Sequence, residues 1–331
     1  MPTIYTFFAL IISFLFVLIF LPLWVSRTKK YGFVGTDVQK LDKRKVAELG
    51  GLIVVLGAAF GILTYVATQV FIYRISASIN LLAALSAILI ALLIGMVDDI
   101  LGWKIGLRKL EKVILSLLIA LPIMAINAGI SKMNIPFFGT VELGLIYPLL
   151  IVPIAVVGAS NGFNMLAGAN GLEAGMGIII LSSLSFIAWK TGASFAAAFA
   201  AFFVLALIAF LIFNWYPARI FPGDSLTYPV GAAIAITAII GNIEKFALIL
   251  FLPYFFEFFL KAGGAFKKES FGKVLKDGSL DLRYKRIYSL NHLAIWFLRK
   301  VKGKAYEWEI TLLILFFEAL IALFVLIPFL K

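Results

Sequence analysis

SFAAAFAAFFVLALIAFLIFNWYPARIFPGDS, Ser194 to Ser225, contains both features that organise this chain. The stretch from Ser194 to Phe213 carries no charge, and at a helical rise of about 1.5 Å per residue it spans a hydrocarbon core of about 30 Å. Polar chemistry begins where that run ends, with Asn214, Arg219 and Asp224. Two further clusters follow the same rule: VDD (Val97 to Asp99) closes one apolar run, and NGFNMLAGANGLEAG (Asn161 to Gly175) joins two others. Carboxylates and amides at the ends of membrane segments are costly unless something uses them. Asp, Asn and Lys together suggest a metal ion and a phosphate.

Composition agrees with a membrane setting. Of 331 residues, 63% are hydrophobic, and the mean hydropathy is +1.07. Soluble domains are about half apolar. The expected fold is an all-α polytopic integral membrane protein of about ten transmembrane helices, with small cytoplasmic and external β-hairpins. Residues 1–331 read as a single integral membrane domain. Ile4 to Val25 is too long for a signal-peptide core and lacks a small-residue cleavage site, so it reads as a retained helix. The chain has no Cys, which excludes disulfides and zinc–thiolate sites, and its single His292 excludes a multi-histidine metal site.

Ten segments are predicted, over 4–25, 50–71, 80–97, 110–127, 146–163, 171–189, 194–213, 227–241, 243–261 and 310–330. The net charge of +12 is confined to particular loops. Loops 26–49, 98–112, 164–170, 214–226 and 261–309 hold all Lys and Arg except Arg74, Lys132, Lys190, Lys245 and Lys331. The positive-inside rule puts those loops in the cytoplasm and both termini outside, and explains the charge without nucleic acid. All three polar clusters then share the cytoplasmic face.

Two loops read as structured. KMNIPFFGTVELG (Lys132 to Gly144) alternates about Gly139 as an external hairpin. The cytoplasmic stretch 261–309 has Asp277-Gly278 between short alternating runs, which predicts a two-residue hairpin turn. It then continues into a basic amphipathic helix, Ile287 to Val301, lying at the headgroups.

The candidate chemistry follows from residue type and spacing. Asp98 and Asp99 are adjacent and face different sides of a helix, so they have separate tasks, unless they are simply a solvated helix end. Asn161 and Asn164, three apart, share a helix face, and an amide carbonyl suits a hard cation. Asn170 precedes a helix start, where it serves equally as a cap or as a ligand. Glu173 in the first turn complements the helix dipole. Asp224 follows the Pro222-Gly223 turn. Phe221 beside it is placed either to stack on a base or to anchor at the interface. Mg²⁺ fits this inventory because it takes oxygen ligands, few of them from protein. No P-loop is present.

At these residues the chain resembles the polyprenyl-phosphate N-acetylhexosamine-1-phosphate transferase family, above all its eukaryotic UDP-GlcNAc:dolichyl-phosphate branch. NMLAGANGLEAG and NWYPARIFPGDS run nearly unbroken with that branch, and Asp37 to Gly51 and VDDILGW align as well. The resemblance implies ten membrane helices and a cytoplasmic active site. It implies Mg²⁺ (or Mn²⁺) on Asn164 and Asp224, and Phe221 stacked on uracil. Val38 and Asn170 would meet the base through backbone groups, with Glu48 near the uridine. Asp98 and Asp99 match the family's aspartate pair, set to orient a lysine or the lipid phosphate, with general base a secondary role. Lys112 and Lys109 are both candidates for the phosphate-contacting lysine, with Lys112 preferred. The chain departs from the eukaryotic branch at its sugar-reading Arg-His-Arg cluster, where AFKKES supplies Lys267 and Lys268. His292 is the one histidine available where the peptidoglycan branch has several. Asn161, Lys267, Lys268 and His292 are therefore the sugar or phosphate candidates.

The expected activity is transfer of a sugar 1-phosphate, GlcNAc-1-phosphate by resemblance, from a UDP-sugar to dolichyl or polyprenyl phosphate, releasing UMP. That is the first membrane step of lipid-linked oligosaccharide synthesis for N-glycans. The partners are those two substrates, with a homodimer allowed. The eukaryote-like motifs on a short chain point to an archaeal source. The rival expectation is a transporter or flippase of lipid-linked sugars, but such proteins place their sites near the bilayer midplane within repeats. Here the polar residues gather at one face.

Overall fold

The computed structural model describes residues 4–102, 106–135 and 139–330. It is mostly helical: α1 (Ile4–Lys30), α2 (Gly50–Phe71), α3 (Ile79–Leu101), α4 (Lys109–Ala125), α5 (Val152–Met165), α6 (Leu172–Lys190), α7 (Ser194–Asn214), α8 (Asp224–Gly241), α9 (Glu244–Leu250), α10 (Leu252–Gly263), α11 (Leu290–Lys302) and α12 (Glu307–Leu326). A π-helical turn, Tyr147–Ile151, leads into α5. Eight of the described helices are long and apolar enough to cross a membrane, counting that turn with α5, and the bent pair α9–α10 makes a ninth. The remaining predicted segment is α4, whose 17 residues extend about 26 Å, somewhat less than the hydrocarbon core. The predicted ninth segment is broken, with its halves at 53°. Pro253, at the start of α10, has no N–H for the helical ladder, so α9 ends at Leu250 and the chain turns at Phe251.

α8 is the hub. It packs against α2, α3, α5, α6 and α7, and nearly all its residues from Ser225 to Gly241 are buried. The close approach depends on two glycines. A methyl group on Gly51 of α2 would overlap the backbone of Ser225 and Leu226, and one on Gly95 of α3 would overlap the Asp224 carbonyl. Backbone contact of this kind lets neighbouring helices hold the first turn of α8. Large apolar side chains such as Phe7, Phe8, Leu93, Ile212, Phe316 and Phe324 remain exposed around the bundle, as a surface in contact with lipid requires.

Three small antiparallel sheets decorate the helices. β1 (Val34–Thr36) pairs with β2 (Lys45–Ala47), a ribbon the sequence did not announce. β3 (Lys132–Ile135) pairs with β4 (Gly139–Glu142) as the expected hairpin, with its tip at 136–138 outside the described residues. β5 (Lys273–Val274) pairs with β6 (Leu280–Asp281). Its turn is not the predicted two-residue one. Leu275 O accepts from Gly278 N at 3.0 Å, Leu275 N donates to Ser279 O at 2.8 Å, and Gly278 is left-handed (φ +79°). That is a three-residue loop with a bulge. A two-residue type I′ turn needs positive φ at Asp277 too, and Asp277 does not have it. α11 is the predicted amphipathic helix, with Leu293, Trp296, Phe297 and Val301 exposed along it and Arg299, Lys300 and Lys302 in its last turn.

Candidate active site

The site is built where the ends of α3, α4, α5 and α8 meet. Lys112, in the first turn of α4, places its Nζ 2.6 Å from Asp98 Oδ2 of α3 and 2.6 Å from Asp224 Oδ2 of α8. Asn164 of α5 donates from Nδ2 to the same Asp224 oxygen at 3.1 Å, and its Oδ1 accepts from Thr227 Oγ1 at 3.0 Å. Asp98 Oδ1 accepts the backbone N–H of Leu107 at 2.7 Å, which ties the α3–α4 connection down over the cluster. One ammonium thus joins carboxylates from two helices, and an amide from a third helix closes the group.

The two adjacent aspartates do different work. Asp98 holds Lys112. Asp99 turns away and accepts two backbone N–H groups at the start of α8, from Asp224 at 2.7 Å and Ser225 at 3.0 Å. These belong to the N–H groups a helix start leaves without an internal partner. The negative charge also suits the positive end of the helix. Asp99 therefore positions the backbone that carries Asp224.

A second face lies beside this cluster. Phe221 donates its N–H to Ala47 O at 2.8 Å, while Phe221 O and Pro222 O accept from Gly50 and Gly51. The FPGD turn is thereby stitched to the end of β2 and the start of α2. Gly35 of β1 lies against both Phe221 and the carboxyl of Glu48. Burial, reinforced by the Asp99 charge, raises the Glu48 carboxyl above its ordinary value. Val38 sits in the turn after β1, half-buried.

Asn170 does not cap α6; that position belongs to Gly171. Its Nδ2 donates to Asp37 at 3.2 Å, its backbone N–H to Glu307 at 2.8 Å, and its carbonyl accepts from Thr311. The backbone N–H and carbonyl of Asn170 are therefore both engaged within the protein. Glu173 accepts from Gly168 N at 3.1 Å, so it secures the loop as well as the start of α6.

Several candidates lie away from the cluster. Lys109 bonds the Phe266 carbonyl and leaves Lys112 as the lysine between the aspartates. Asn161 is occupied on both sides of its amide. Nδ2 donates to Ser116 and Val157, and Oδ1 accepts from Tyr228, so it braces α5 against α4 and α8. His292 is buried, with Nδ1 3.4 Å from the Tyr288 N–H and Nε2 3.4 Å from the Phe271 carbonyl. Burial pushes its pKa down, against the Phe271 bond. It ties α11 to Phe271, in the segment before β5. Lys267 is exposed, and Lys268 lies over the Tyr284 ring at 5.0 Å. Glu257 caps the start of α11 through Leu290 N at 2.7 Å and Ser289.

The residues missed from sequence are Thr227, Asp37, Gln39, Lys40 and Glu307. Lys40 bonds Glu307, 267 positions along the chain, and no local pattern reveals such a pair.

The donor set suits a hard cation. Asp98 and Asp224 supply carboxylate oxygens, and the Asn164 carbonyl, which accepts from Thr227, keeps a second lone pair, while its amide nitrogen and Lys112 Nζ lie on Asp224. Among the described residues no group of three or more Asp, Glu, His or Cys is arranged as a metal cage.

Fold and site together define a polytopic membrane enzyme whose charged groups are gathered at the ends of its helices. The model of glycosyl transferase family 4 matches residues 81–242, from α3 through α8. A protein of Saccharolobus solfataricus named "Putative UDP-N-acetylglucosamine–dolichyl-phosphate N-acetylglucosaminephosphotransferase" is 37% identical over 96% of this chain and 95% of its own. Its namesake in Sulfolobus acidocaldarius is 35% identical, over 95% and 93%. The phospho-N-acetylmuramoyl-pentapeptide-transferase of Halalkalibacterium halodurans is 29% identical, over 86% of each chain. The chain belongs to glycosyl transferase family 4 and is a multi-pass membrane transferase of the sugar-1-phosphate type.

Proposed function

We propose that the protein transfers GlcNAc-1-phosphate from UDP-GlcNAc to dolichyl or another polyprenyl phosphate, with UMP as the second product. The observation that carries this reading is the Lys112 ammonium held between Asp98 and Asp224, with Asn164 on the same carboxylate oxygen. A lipid phosphate oxygen attacks the β-phosphorus of the nucleotide sugar. The new P–O bond forms as the bond from that phosphorus to the bridging oxygen breaks, and UMP leaves with the electron pair.

Each residue has a task in that transfer. Lys112, steered by Asp98, neutralises phosphate charge, and Asp99 keeps Asp224 in place. Phe221 offers a ring for uracil, flanked by Glu48 and by the Val38 and Asn170 turns. Mg²⁺ or Mn²⁺, when bound at Asp224 and Asn164, supplies charge neutralisation for the diphosphate. A general base adds little, because a phosphate monoester with a second pKa near about 6 is already mostly dianionic at neutral pH. Phosphoryl transfer then rests on positioning and electrostatics.

The acceptor is a lipid and the donor is water-soluble, so they meet at the interface where these helix ends lie. The distribution of Lys and Arg supports a cytoplasmic site with both termini outside. An apolar groove of about 370 Å³ between α10, α11 and α12, bordered by Pro253, Phe256, Trp296, Phe297 and Phe317, supports a place for a lipid tail among these helices. UMP release and lipid-linked label, measured in detergent with UDP-GlcNAc, polyprenyl phosphate and Mg²⁺, test the reading. Turnover that requires lipid and is lost with EDTA and with Asp224→Ala supports it. Folded protein that is inert across UDP-sugars and polyprenols refutes it.

A further inference from the structure

Four buried polar residues from three distant parts of the chain form one bonded group beside the Phe221 turn. Asp37, Lys40, Asn170 and Glu307 are 4%, 8%, 6% and 3% exposed, so water does not satisfy them. Lys40 Nζ bonds Glu307 and lies 3.2 Å from Asp37 Oδ2. Glu307 accepts the Asn170 N–H through its other oxygen, and Asp37 accepts the Asn170 side-chain amide. Thr311, one helical turn after Glu307, donates to the Asn170 carbonyl at 3.1 Å. The Lys40 ammonium also sits 4.2 Å from the ring centroid of Tyr216, on the segment that leads to Phe221. Gln39 bonds Gly168 O at 2.6 Å and Gly272 N at 3.1 Å. Val38 is thus held between two anchored neighbours.

A buried ion pair is weak evidence for stability, since desolvation offsets much of its attraction. What this one does is geometric. It fixes the β1–β2 turn, the Asn170 loop and the Phe221 segment to the first two turns of α12. We infer that Lys40 and Glu307, with Asp37 and Thr311, are positioning residues that set the distance between the Val38–Asn170 edge and Phe221, and so determine affinity for the uridine part of the donor. This rests on the proposed uridine site. It assigns no contact with substrate to Lys40 or Glu307, and it gives α12, far along the chain, a part in donor binding.

The test combines UDP binding by calorimetry with separate kinetic constants for donor and acceptor, on the full chain in detergent. Lys40→Met should raise the UDP-sugar KM and weaken UDP binding by about tenfold, leaving kcat and the polyprenyl-phosphate KM within about threefold. The pair Lys40→Met with Glu307→Gln removes the Glu307 charge together with the ammonium, leaves Asp37 as the one buried carboxylate of the group, retains an acceptor for Asn170 N–H, and should recover part of that loss. Thr311→Val removes one hydroxyl and guards against a variant that fails to fold; its UDP affinity should fall about two- to fivefold. Parent protein that binds UDP, with Lys40→Met and Thr311→Val binding it equally well, overturns the inference and leaves the uridine site standing. Loss of kcat and both KM values in step with the unfolding temperature also overturns it, because that is the signature of a structural cluster. Parent protein that binds no UDP overturns the uridine site itself, and the inference with it.

Discussion

Replacing Asp99 by Asn tests whether this carboxylate builds the site or takes part in the reaction. Its two oxygens accept N–H groups of Asp224 and Ser225 at 2.7 and 3.0 Å. Asn has one acceptor oxygen and turns an NH₂ toward the other N–H, so one charge-assisted bond is lost, worth about 1.5–3 kcal/mol. The lost charge at the helix start adds about 0.3–1 kcal/mol. Asp99 is only partly buried, so a net cost of about 2–3 kcal/mol is expected after solvent screening. If that cost appears as misplacement of Asp224, kcat falls about 30- to 150-fold at about 1.4 kcal/mol per decade. The assay is UMP release, paired with thermal unfolding and hydrogen exchange across the first turn of α8. The unfolding temperature should drop with kcat, and exchange at Ser225 and Leu226 should accelerate. Turnover abolished at unchanged unfolding and unchanged exchange would refute the positioning role and place Asp99 in the chemistry. A variant indistinguishable from the parent would refute the bridge itself.

Lys112→Met should lower kcat about 10²- to 10³-fold, whereas Lys109→Met stays within a few-fold, because Lys109 bonds the Phe266 carbonyl; equal losses in the two variants would contradict this assignment. Gly95→Ala forces a methyl into the Asp224 carbonyl and should cost about 1–3 kcal/mol of stability as overpacking, along with activity; a neutral result in unfolding and UMP release would show that the helices separate freely. The Glu48 carboxyl is raised above 4.5 by burial first and by Asp99 second, so the folded protein favours its neutral form. The resulting stability is present at low pH and is lost as pH rises through the raised value. Relative to Glu48→Gln, the parent's unfolding temperature should therefore decline as pH increases above 4.5, and a difference flat in pH would exclude the effect.

The helical membrane architecture was legible because it is written in local runs. An uncharged stretch such as Ser194 to Phe213 becomes α7 whatever surrounds it, since an unpaired backbone has no other solution in lipid. Breaks inside runs were harder to see. Pro253 bends α9–α10 by 53°, yet residues 243–261 are continuously apolar enough to read as one segment. The hairpin at Asp277-Gly278 was located from its turn residues, while its loop length depended on which of the two took positive φ.

At the site, residue type and position along the chain sufficed to collect Asp98, Asp99, Asn164, Phe221 and Asp224 at the ends of apolar segments, because a polar group in such a place has few inexpensive alternatives, while Lys112 and Lys109 entered through the resemblance. The division of labour among them came from packing alone. Asp98 and Asp99 are equivalent in sequence. What separates them is that the start of α8 lies against one face of α3 and Lys112 against another. Lys109 and Lys112 lie one turn apart, and only the approach of α8 to α4 selects the second. The hydrogen bonds that His292 and Asn161 make could not be read from the chain, because an unpaired polar side chain cannot be told from a paired one until its neighbours are known. Lys40 and Glu307 were invisible for the same reason at a greater distance, 267 positions. Charge, hydropathy and turn chemistry act over a few residues and can be read from the chain. Which buried donor meets which acceptor is decided by helices folding back on one another, and for this protein only the tertiary structure carries that information.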